Sequence, residues 1–377
     1  MVWGHSKEEP GMRVAFLWNG LTGYHNACLK ELASRGEIEL FVCHEAITKT
    51  APYDESQFAW MKTRIAWRNA RDLVDLQRRL HDFKPDILIF ASWNKPVYRA
   101  IAKSFAGKAF RVMGMDNCWL GTIKQHFGAL ISNYYVRPLA DAVWLPGERQ
   151  AVFAKKLHFE PKAIMWGSLS CDQKPIAEMY HLRLKEKRPL PHSFLFVGRF
   201  VRAKGLDTLV NAYEKYRNTS SDPWPLVCCG AGPLQSILEG REGIRIEGFV
   251  QPNRMPAALA AAGCFILPSD FEPWALVVHE AVSAGLPVIA SERVGAAVHL
   301  VQPNYNGYIF AGGDADDLAR LMLRIGSMSD ERLEAMSYGS YLMSKQFSPS
   351  RWADTLLDSY EATGRKIVND LALSGVK

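Results

Sequence analysis

The run from Gly263 to Ala290, GCFILPSDFEPWALVVHEAVSAGLPVIA, constrains the fold more than any other part of the sequence. The apolar residues Cys264 to Leu267 predict a buried strand, which Pro268 closes before a polar loop. Pro273 suits the first turn of a helix because its missing N–H would have no partner there, and Gly285 predicts the end of that helix. The predicted unit is therefore strand, polar loop, helix and strand.

Two carboxylates stand at the ends of the loop and helix of this unit. Glu272 lies in the loop and Glu280 in the predicted helix, so their backbones are roughly 12 Å apart along the axis. Glycosidase carboxyl pairs lie within about 5 to 9.5 Å, so a longer ligand is favoured. A nucleotide diphosphate sugar has hydroxyl pairs at both ends, each able to donate to a carboxylate. A helix N-terminus favours the diphosphate between them.

The whole chain predicts two α/β domains, because 377 residues can build two cores of ordinary size. Residues 12–168 open with strand, helix and strand, which predicts a doubly wound parallel sheet. Residues 169–192 combine three prolines with many charges and predict an interdomain linker. The second domain is predicted at 193–350, and residues 351–377 have the spacing of a C-terminal helix.

Composition predicts a soluble globular protein, with 48% hydrophobic and 22% charged residues and a formal net charge of +6. The seven cysteines are an odd number without CxxC spacing, which indicates reduced core residues in a cytoplasmic protein. No uninterrupted apolar run reaches transmembrane length, and the N-terminus lacks a signal-peptide apolar region. No recognition motif accompanies the basic residues, so no nucleic-acid partner is expected.

Basic residues cluster between Lys62 and Lys84, inside a segment, 56–83, whose pattern predicts a helix. Trp60, Ile65 and Trp67 are interleaved with them. Two interpretations remain open. The cluster is either the solvated face of an ordinary helix or a peripheral surface that docks on an anionic membrane.

The stretch SDFEPWALVVHEAVSAGLPVIA resembles the E-x7-E signature of retaining glycosyltransferases of family 4. Similar segments flank it in the family's order, at 194–213, 228–234, 244–250 and 305–310. The resemblance implies a GT-B fold, in which two Rossmann-like domains face a central cleft and a C-terminal helix crosses back to the first domain. It implies hexosyl transfer from a UDP- or GDP-sugar to a glycan or lipid-linked acceptor, in polysaccharide or glycolipid synthesis.

The same resemblance implies roles for the site residues. Arg199 and Lys204 would stabilise the charge that grows on the leaving diphosphate. Glu280 would hold the ribose hydroxyls and Glu272 the hexose. Asp116 stands where family members often carry a histidine that contacts the transferred sugar. The implied catalytic set is Asp116, Arg199, Lys204 and Glu272.

The remaining residues of the site follow from their positions in the matched segments or at the predicted strand ends. The implied donor-binding set is Gly20, Gly198, Arg199, Lys204, Gly230, Phe249, Val250, Glu272, Trp274, Ala275, Leu276, Val277 and Glu280. The implied acceptor-binding set is Gly23, Tyr24, Asn94 and Asn117.

Three positions depart from the family pattern or imitate another motif. Ala275 stands where the family usually has glycine, and His299 stands where it has an acidic residue. Asp314 and Asp316 imitate the DxD metal motif of the other glycosyltransferase fold, yet they precede an apolar helical pattern and predict a helix cap. No cluster of His, Cys and carboxylates has metal-ligand spacing, so neither a metal nor another cofactor is expected.

Other functions remain possible at this level. A sugar-nucleotide epimerase or a phosphorylase uses the same fold, and a phosphorylase would need a lysine-bound pyridoxal phosphate. A degenerate subunit that only binds the sugar nucleotide is a third alternative, which the departures at Asp116 and Ala275 leave open.

Overall fold

A computed structural model of the chain describes residues 11–46, 55–67 and 70–364. The chain forms two compact units. The first contains the chain up to Met115, then Trp119–Ser168, and the C-terminal residues from Pro349. The second contains Asp116–Cys118 and Leu169–Ser348.

Within its described residues, the first unit is built on seven parallel strands in the order β3-β2-β1-β4-β5-β6-β7. The strands are β1 Met12–Trp18, β2 Ile38–Glu45, β3 Thr63–Trp67, β4 Ile87–Phe90, β5 Phe110–Gly114, β6 Ala142–Leu145 and β7 Ile164–Trp166. The helices are α1 Gly23–Ala33, α2 Ala70–Phe83, α3 Pro96–Ser104, α4 Ile123–Leu130, α5 Ser132–Tyr135 and α6 Glu148–Lys156. Strands β4, β5 and β6 are buried at every residue, as expected of a parallel sheet covered on both faces.

The second unit is built on six parallel strands in the order β10-β9-β8-β11-β12-β13. The strands are β8 Phe194–Val197, β9 Leu226–Cys229, β10 Ile244–Gly248, β11 Cys264–Leu267, β12 Val288–Ser291 and β13 Gly307–Phe310. The helices are α7 Gln173–Lys185, α8 Leu206–Thr219, α9 Met255–Ala260, α10 Leu276–Ser283, α11 Ala297–Leu300, α12 Ala315–Gly326 and α13 Asp330–Ser344. The two doubly wound parallel sheets that the sequence predicts are confirmed.

The last helix, α14 Pro349–Ser359, packs on α1 and belongs to the first unit. Its Trp352 ring stacks on Trp144 with centroids 4.6 Å apart. The Trp352 Nε1 also donates to the main-chain oxygen of Ser168, at 2.9 Å. Tyr360–Gly364 continues as a π-helical turn, and residues 365–377 of the predicted C-terminal helix lie outside the described residues.

The predicted helix over 56–83 is wrong in its first half. Strand β3 occupies Thr63–Trp67 and pairs with β2, and only α2 is helical beyond it. Trp67 is buried in the core, and Trp60 Nε1 donates to Asn26 Oδ1 at 2.6 Å. Trp67 ends strand β3, whereas Trp60 precedes the strand and its hydrogen bond to Asn26 holds the indole against the first unit. Neither tryptophan is therefore available to insert into a membrane, as the docking interpretation requires. Arg68 of this basic cluster lies outside the described residues.

The predicted linker contains a helix of the second unit. Helix α7 packs against α9 and α10, and its Ile176, Tyr180 and Arg183 are buried. The guanidinium of Arg183 donates two hydrogen bonds to the carboxylate of Glu334. Arg183, one of the charged residues that suggested a solvent-exposed linker, thus forms an ion pair inside the unit.

Two further observations concern the predicted localisation. All seven cysteines are free thiols, and six of them are buried. Within the described part of the chain, no helix is both long enough and apolar enough to cross a membrane.

Candidate active site

A cavity of about 360 Å³ opens in the second unit, beside the residues that follow β8 and β11. The strand order reverses between these two strands. Ligands of open parallel sheets bind at such a reversal, outside the carboxyl ends of the strands. The cavity is lined by Asp116, Leu169, Val197, Gly198, Arg199, Lys204, Glu272, Pro273, Trp274, Ala275, Leu276, Val277 and Glu280.

The backbone after β8 lies directly against the backbone after β11. Gly205 has a φ of +66°, and a Cβ on it would lie 2.0 Å from the carbonyl oxygen of Pro268. Only glycine fits such a close approach in this conformation. The amide of Asp270 donates to the carbonyl of Ala203 at 2.9 Å. These contacts fix the position of the neighbouring Lys204 relative to the loop that carries Glu272.

Two cations and a carboxylate meet in the cavity. Lys204 Nζ donates to Glu272 Oε2, and both side chains are largely buried. Arg199 is exposed, and its side chain has no hydrogen-bond or ion-pair partner among the described residues. The site thus holds one cation in an internal pair and a second that is available to an anion.

The loop before α10 is held from the side by residues 295–296. The amide of Gly295 donates to the Glu272 carbonyl at 2.9 Å, and the amide of Ala296 donates to the Trp274 carbonyl at 2.7 Å. Helix α10 therefore begins at Leu276, which corrects the predicted start at Pro273. The estimate of 12 Å between the two glutamate backbones assumed a helix throughout, so it no longer applies.

Ala275 stands at the break between this loop and α10, with a φ of +83°. This left-handed region costs a residue with a Cβ roughly 1–2 kcal/mol. Glycine would remove the strain, but it would lose about 0.4–1 kcal/mol more conformational entropy on folding. The departure from the family's glycine thus places an alanine in a conformation that favours glycine.

We expect Ala275→Gly to stabilise the protein by about 0.5–1 kcal/mol, because the relieved strain exceeds the entropy cost. Urea unfolding of the purified variant measures the difference. Ala335→Gly is the matched control, since Ala335 is exposed inside α13 and its replacement should destabilise by about 1 kcal/mol. Equal destabilisation of both variants would contradict the assigned strain.

Glu280 lies in α10 and lines the cavity. Its carboxylate has no hydrogen-bond or ion-pair partner among the described residues. Burial raises the pKa of Glu280 to about 7. A desolvated carboxylate without donors is costly, and a ligand that supplies two hydroxyl donors would satisfy it.

We expect Glu280→Gln to stabilise the ligand-free protein at alkaline pH. Because the folded pKa of about 7 exceeds the ordinary value, the folded protein loses stability as pH rises from the unfolded pKa through 7. Glutamine removes this loss, so the variant should gain about 2 kcal/mol relative to wild type between about pH 5 and pH 8, or roughly 4–8 °C in Tm. Melting curves at both pH values measure it, and a constant difference would contradict the desolvated, unpartnered carboxylate.

Asp116 is grouped with the second unit and lines the cavity. It is exposed at the surface, yet nearby protein atoms displace enough water to raise the pKa of its carboxyl. The predicted acceptor residue Asn117 follows it and is exposed.

Three predicted donor-binding residues of the second unit do not line the cavity. Gly230 has its Cα beside the main chain of Gly198, where a Cβ would lie 1.9 Å from the carbonyl oxygen. Phe249 is exposed, and Val250 packs partly buried against the core. Gly230 therefore packs against the main chain of the loop after β8.

The remaining predicted residues belong to the first unit. Gly20 follows β1 with open space around it, and Gly23 begins α1. The Tyr24 ring lies 4.0 Å from the ring of His25. Asn94 is hydrogen-bonded to Ser92.

Sequence reasoning missed three residues that line the cavity: Leu169, Val197 and Pro273. Val197 and Pro273 are direct neighbours of predicted residues, so their inclusion follows from the strand end and the loop. Leu169 gave no signal, because it follows the last strand of the first sheet and lay in the predicted linker.

The structure also shows the positions of sequence features to which no catalytic role is assigned. Asp314 caps α12, accepting from the amides of Asp316 and Asp317 at 3.0 and 2.9 Å, which confirms the cap. The His299 ring packs near Trp274 and Phe347. No group of three or more metal-ligating side chains occurs among the residues that the structure describes.

Comparison with solved structures identifies the fold as GT-B. Anabaena HepE in complex with UDP and glucose superposes with a TM-score of 0.70 at 15% identity, covering 93% of this chain and 99% of that one. A glycosyltransferase from Rickettsia africae gives a TM-score of 0.73 at 12% identity, covering 94% and 99%. At these identities the likeness shows the fold.

Comparison of sequences finds partial matches to this chain. Residues 183–343 match the family model described as glycosyl transferases group 1. An uncharacterised glycosyltransferase of Methanocaldococcus jannaschii is 30% identical over 132 residues, 33% of each chain. The O-antigen chain mannosyltransferase B of Escherichia coli is 28% identical over 182 residues, 44% of this chain and 45% of that protein. The matches thus span less than half the length of these relatives.

Proposed function

We propose that this chain is a retaining glycosyltransferase that moves a hexose-type sugar from UDP- or GDP-sugar to a glycan or lipid-linked acceptor. The observation that carries the proposal is the cavity, which joins the free Arg199, the Lys204–Glu272 pair and the unpartnered Glu280 at the strand-order reversal. Two proteins similar to this chain agree with the proposal: one is named for O-antigen mannosyl transfer, and the HepE structure contains UDP.

The diphosphate would lie between the two cations and the start of α10. Free amides and the helix dipole favour an anion there. Arg199 has no ion pair to break when it binds the diphosphate, but Lys204 must loosen its pair with Glu272. Both cations would then stabilise the charge that develops on the leaving diphosphate.

Glu280 would accept the ribose hydroxyls, which supply the donors that its carboxylate lacks. Glu272, released from Lys204, would accept hydroxyls of the hexose. Asp116, which also lines the cavity, would contact the sugar. Each of these three carboxylates would thus contact one part of the donor.

We also propose that transfer needs no metal, since two cationic side chains already face the diphosphate position. A chelator should then leave the rate unchanged. Loss of activity on chelation, restored by Mg²⁺ or Mn²⁺, would contradict this part of the proposal.

Thermal stabilisation by a nucleotide panel tests the donor assignment. UDP, GDP and ADP, each with and without an attached hexose, are added to the full chain. One nucleotide series should raise the Tm, with about 2.7 kcal/mol of added stability at a hundred times Kd. The stabilising sugar nucleotide is then tested for transfer and for slow hydrolysis. Failure of every nucleotide to stabilise the folded protein would contradict the proposal, and binding without turnover would identify a binding subunit.

A further inference from the structure

The first unit exposes an apolar stripe on the helical segment formed by α4 and α5. Ile123, Phe127, Leu130 and Tyr134 are 90%, 63%, 76% and 90% exposed. None of the eight residues of α4 is buried. An exposed contiguous apolar surface of this kind marks an interaction site more often than an isolated exposed residue does.

The stripe is continuous because the segment is helical almost without a break. The amide of Ile131 bonds the Phe127 carbonyl, and that of Tyr135 bonds the Ile131 carbonyl, so α4 runs into α5. At 3.6 residues per turn, the four exposed side chains fall within an arc of about 60°.

The opposite side of the segment is anchored to the first unit. Ser132 is fully buried, and its Oγ lies 2.7 Å from His158 Nδ1. The stripe is therefore held outward by packing behind it.

Charge around the stripe is positive. Residues 117–140 contain Lys124 and Arg137 and no acidic residue. At one end, Lys156 Nζ lies 4.6 Å from the ring centroid of Trp119, which contacts the His126 ring. At the other end, the Arg99 guanidinium lies 3.6 Å from the ring centroid of Tyr135.

The size of the stripe argues against a stable protein interface. A thirteen-residue helical segment presents a face of roughly 20 by 10 Å, whereas a specific protein interface buries about 800 Å² on each partner. An amphipathic helix in the plane of a lipid headgroup layer needs no such area, because apolar insertion and cation attraction add together.

We propose that the α4–α5 stripe docks the first unit on an anionic membrane surface. Ile123, Phe127 and Leu130 enter the acyl boundary, and Tyr134 lies at headgroup level. Lys124, Arg99 and Lys156 face the anionic headgroups. The proposal concerns a surface separate from the donor cavity and does not depend on the proposed transferase activity.

Sedimentation of the full chain with vesicles tests it. Wild type should bind phosphatidylcholine vesicles that contain phosphatidylglycerol, bind pure phosphatidylcholine far less, and lose affinity with added salt. Ile123→Ser combined with Phe127→Ser should lower the partition coefficient about 30-fold or more. Lys124→Glu should lower it roughly fivefold for each unit of charge changed.

A matched control is Tyr338→Ser combined with Leu342→Ser on α13, two exposed apolar residues of the second unit. This control should bind vesicles like wild type. All variants should keep the wild-type Tm, because every replaced side chain is exposed. Equal binding to both vesicle types, binding to neither, or equal loss in the control would overturn the proposal. It would also be overturned if light scattering showed a dimer that the α4 variant dissociates.

Discussion

Replacing Lys204 with alanine is expected to lower turnover with the identified donor by at least about 100-fold. A fixed cation aimed at the leaving group acts mainly in the transition state, so its loss falls on kcat. Arg199→Ala is expected to have an effect of the same order. The measurement is steady-state transfer by each purified variant.

The two variants should differ in stability, which separates a catalytic effect from a folding effect. Lys204→Ala leaves the largely buried Glu272 without its partner, so its Tm should fall. Arg199 has no partner to leave, so Arg199→Ala should melt like wild type.

Arg202→Ala is the matched control, because Arg202 lies in the same turn, is exposed and does not line the cavity. Its turnover should change by less than about twofold. Full activity of either Lys204→Ala or Arg199→Ala would show that the diphosphate lies elsewhere.

The largest loss of stability is expected for Asp141→Ala in the first unit. Asp141 accepts from the Arg111 amide at 2.8 Å, from Nε at 3.1 Å and from Nη2 at 2.7 Å. Both side chains are almost fully buried. Removing the carboxylate leaves a buried guanidinium uncompensated, which should cost about 3–5 kcal/mol in urea unfolding.

Two comparisons define the cause of that loss. Asp75→Ala removes the partner of Arg78 and Arg79 on the exposed face of α2 and should cost far less stability, because exposed ion pairs are solvated and contribute little. Arg111→Met combined with Asp141→Leu should recover much of the loss, because no buried charge then remains. If the double variant were as unstable as Asp141→Ala, lost packing would be the cause.

The strands that the sequence predicts best are apolar runs bounded by polar or breaking residues. The predicted bounds of β11 match the structure residue for residue, because this strand is central in its sheet and buried at every residue. Strand β3 was missed since it lies in a segment whose basic residues fit a helical face equally well. Its pairing with β2, a contact with a distant part of the chain, decides its conformation.

The site was predicted as a set of residues, but its internal contacts were not. The pair between Lys204 and Glu272 joins positions 68 residues apart and depends on how closely Gly205 approaches Pro268. The start of α10 depends on main-chain bonds from residues 295–296. The local sequence pattern predicts neither the ion pair nor the start of the helix, because each depends on the approach of two loops.

Calorimetric titration of Glu280→Gln and Glu272→Gln, each with free nucleoside diphosphate and with the intact sugar nucleotide, tests the central claim most directly. Glu280→Gln should weaken the binding of both ligands. Glu272→Gln removes the carboxylate that Lys204 must leave, so it should not weaken free diphosphate binding and should weaken only that of the intact donor. Each loss should be about 1.5–3 kcal/mol, or roughly 10- to 150-fold in Kd. Equal loss of affinity for the free nucleotide in both variants would contradict a cavity with a ribose end at Glu280 and a sugar end at Glu272.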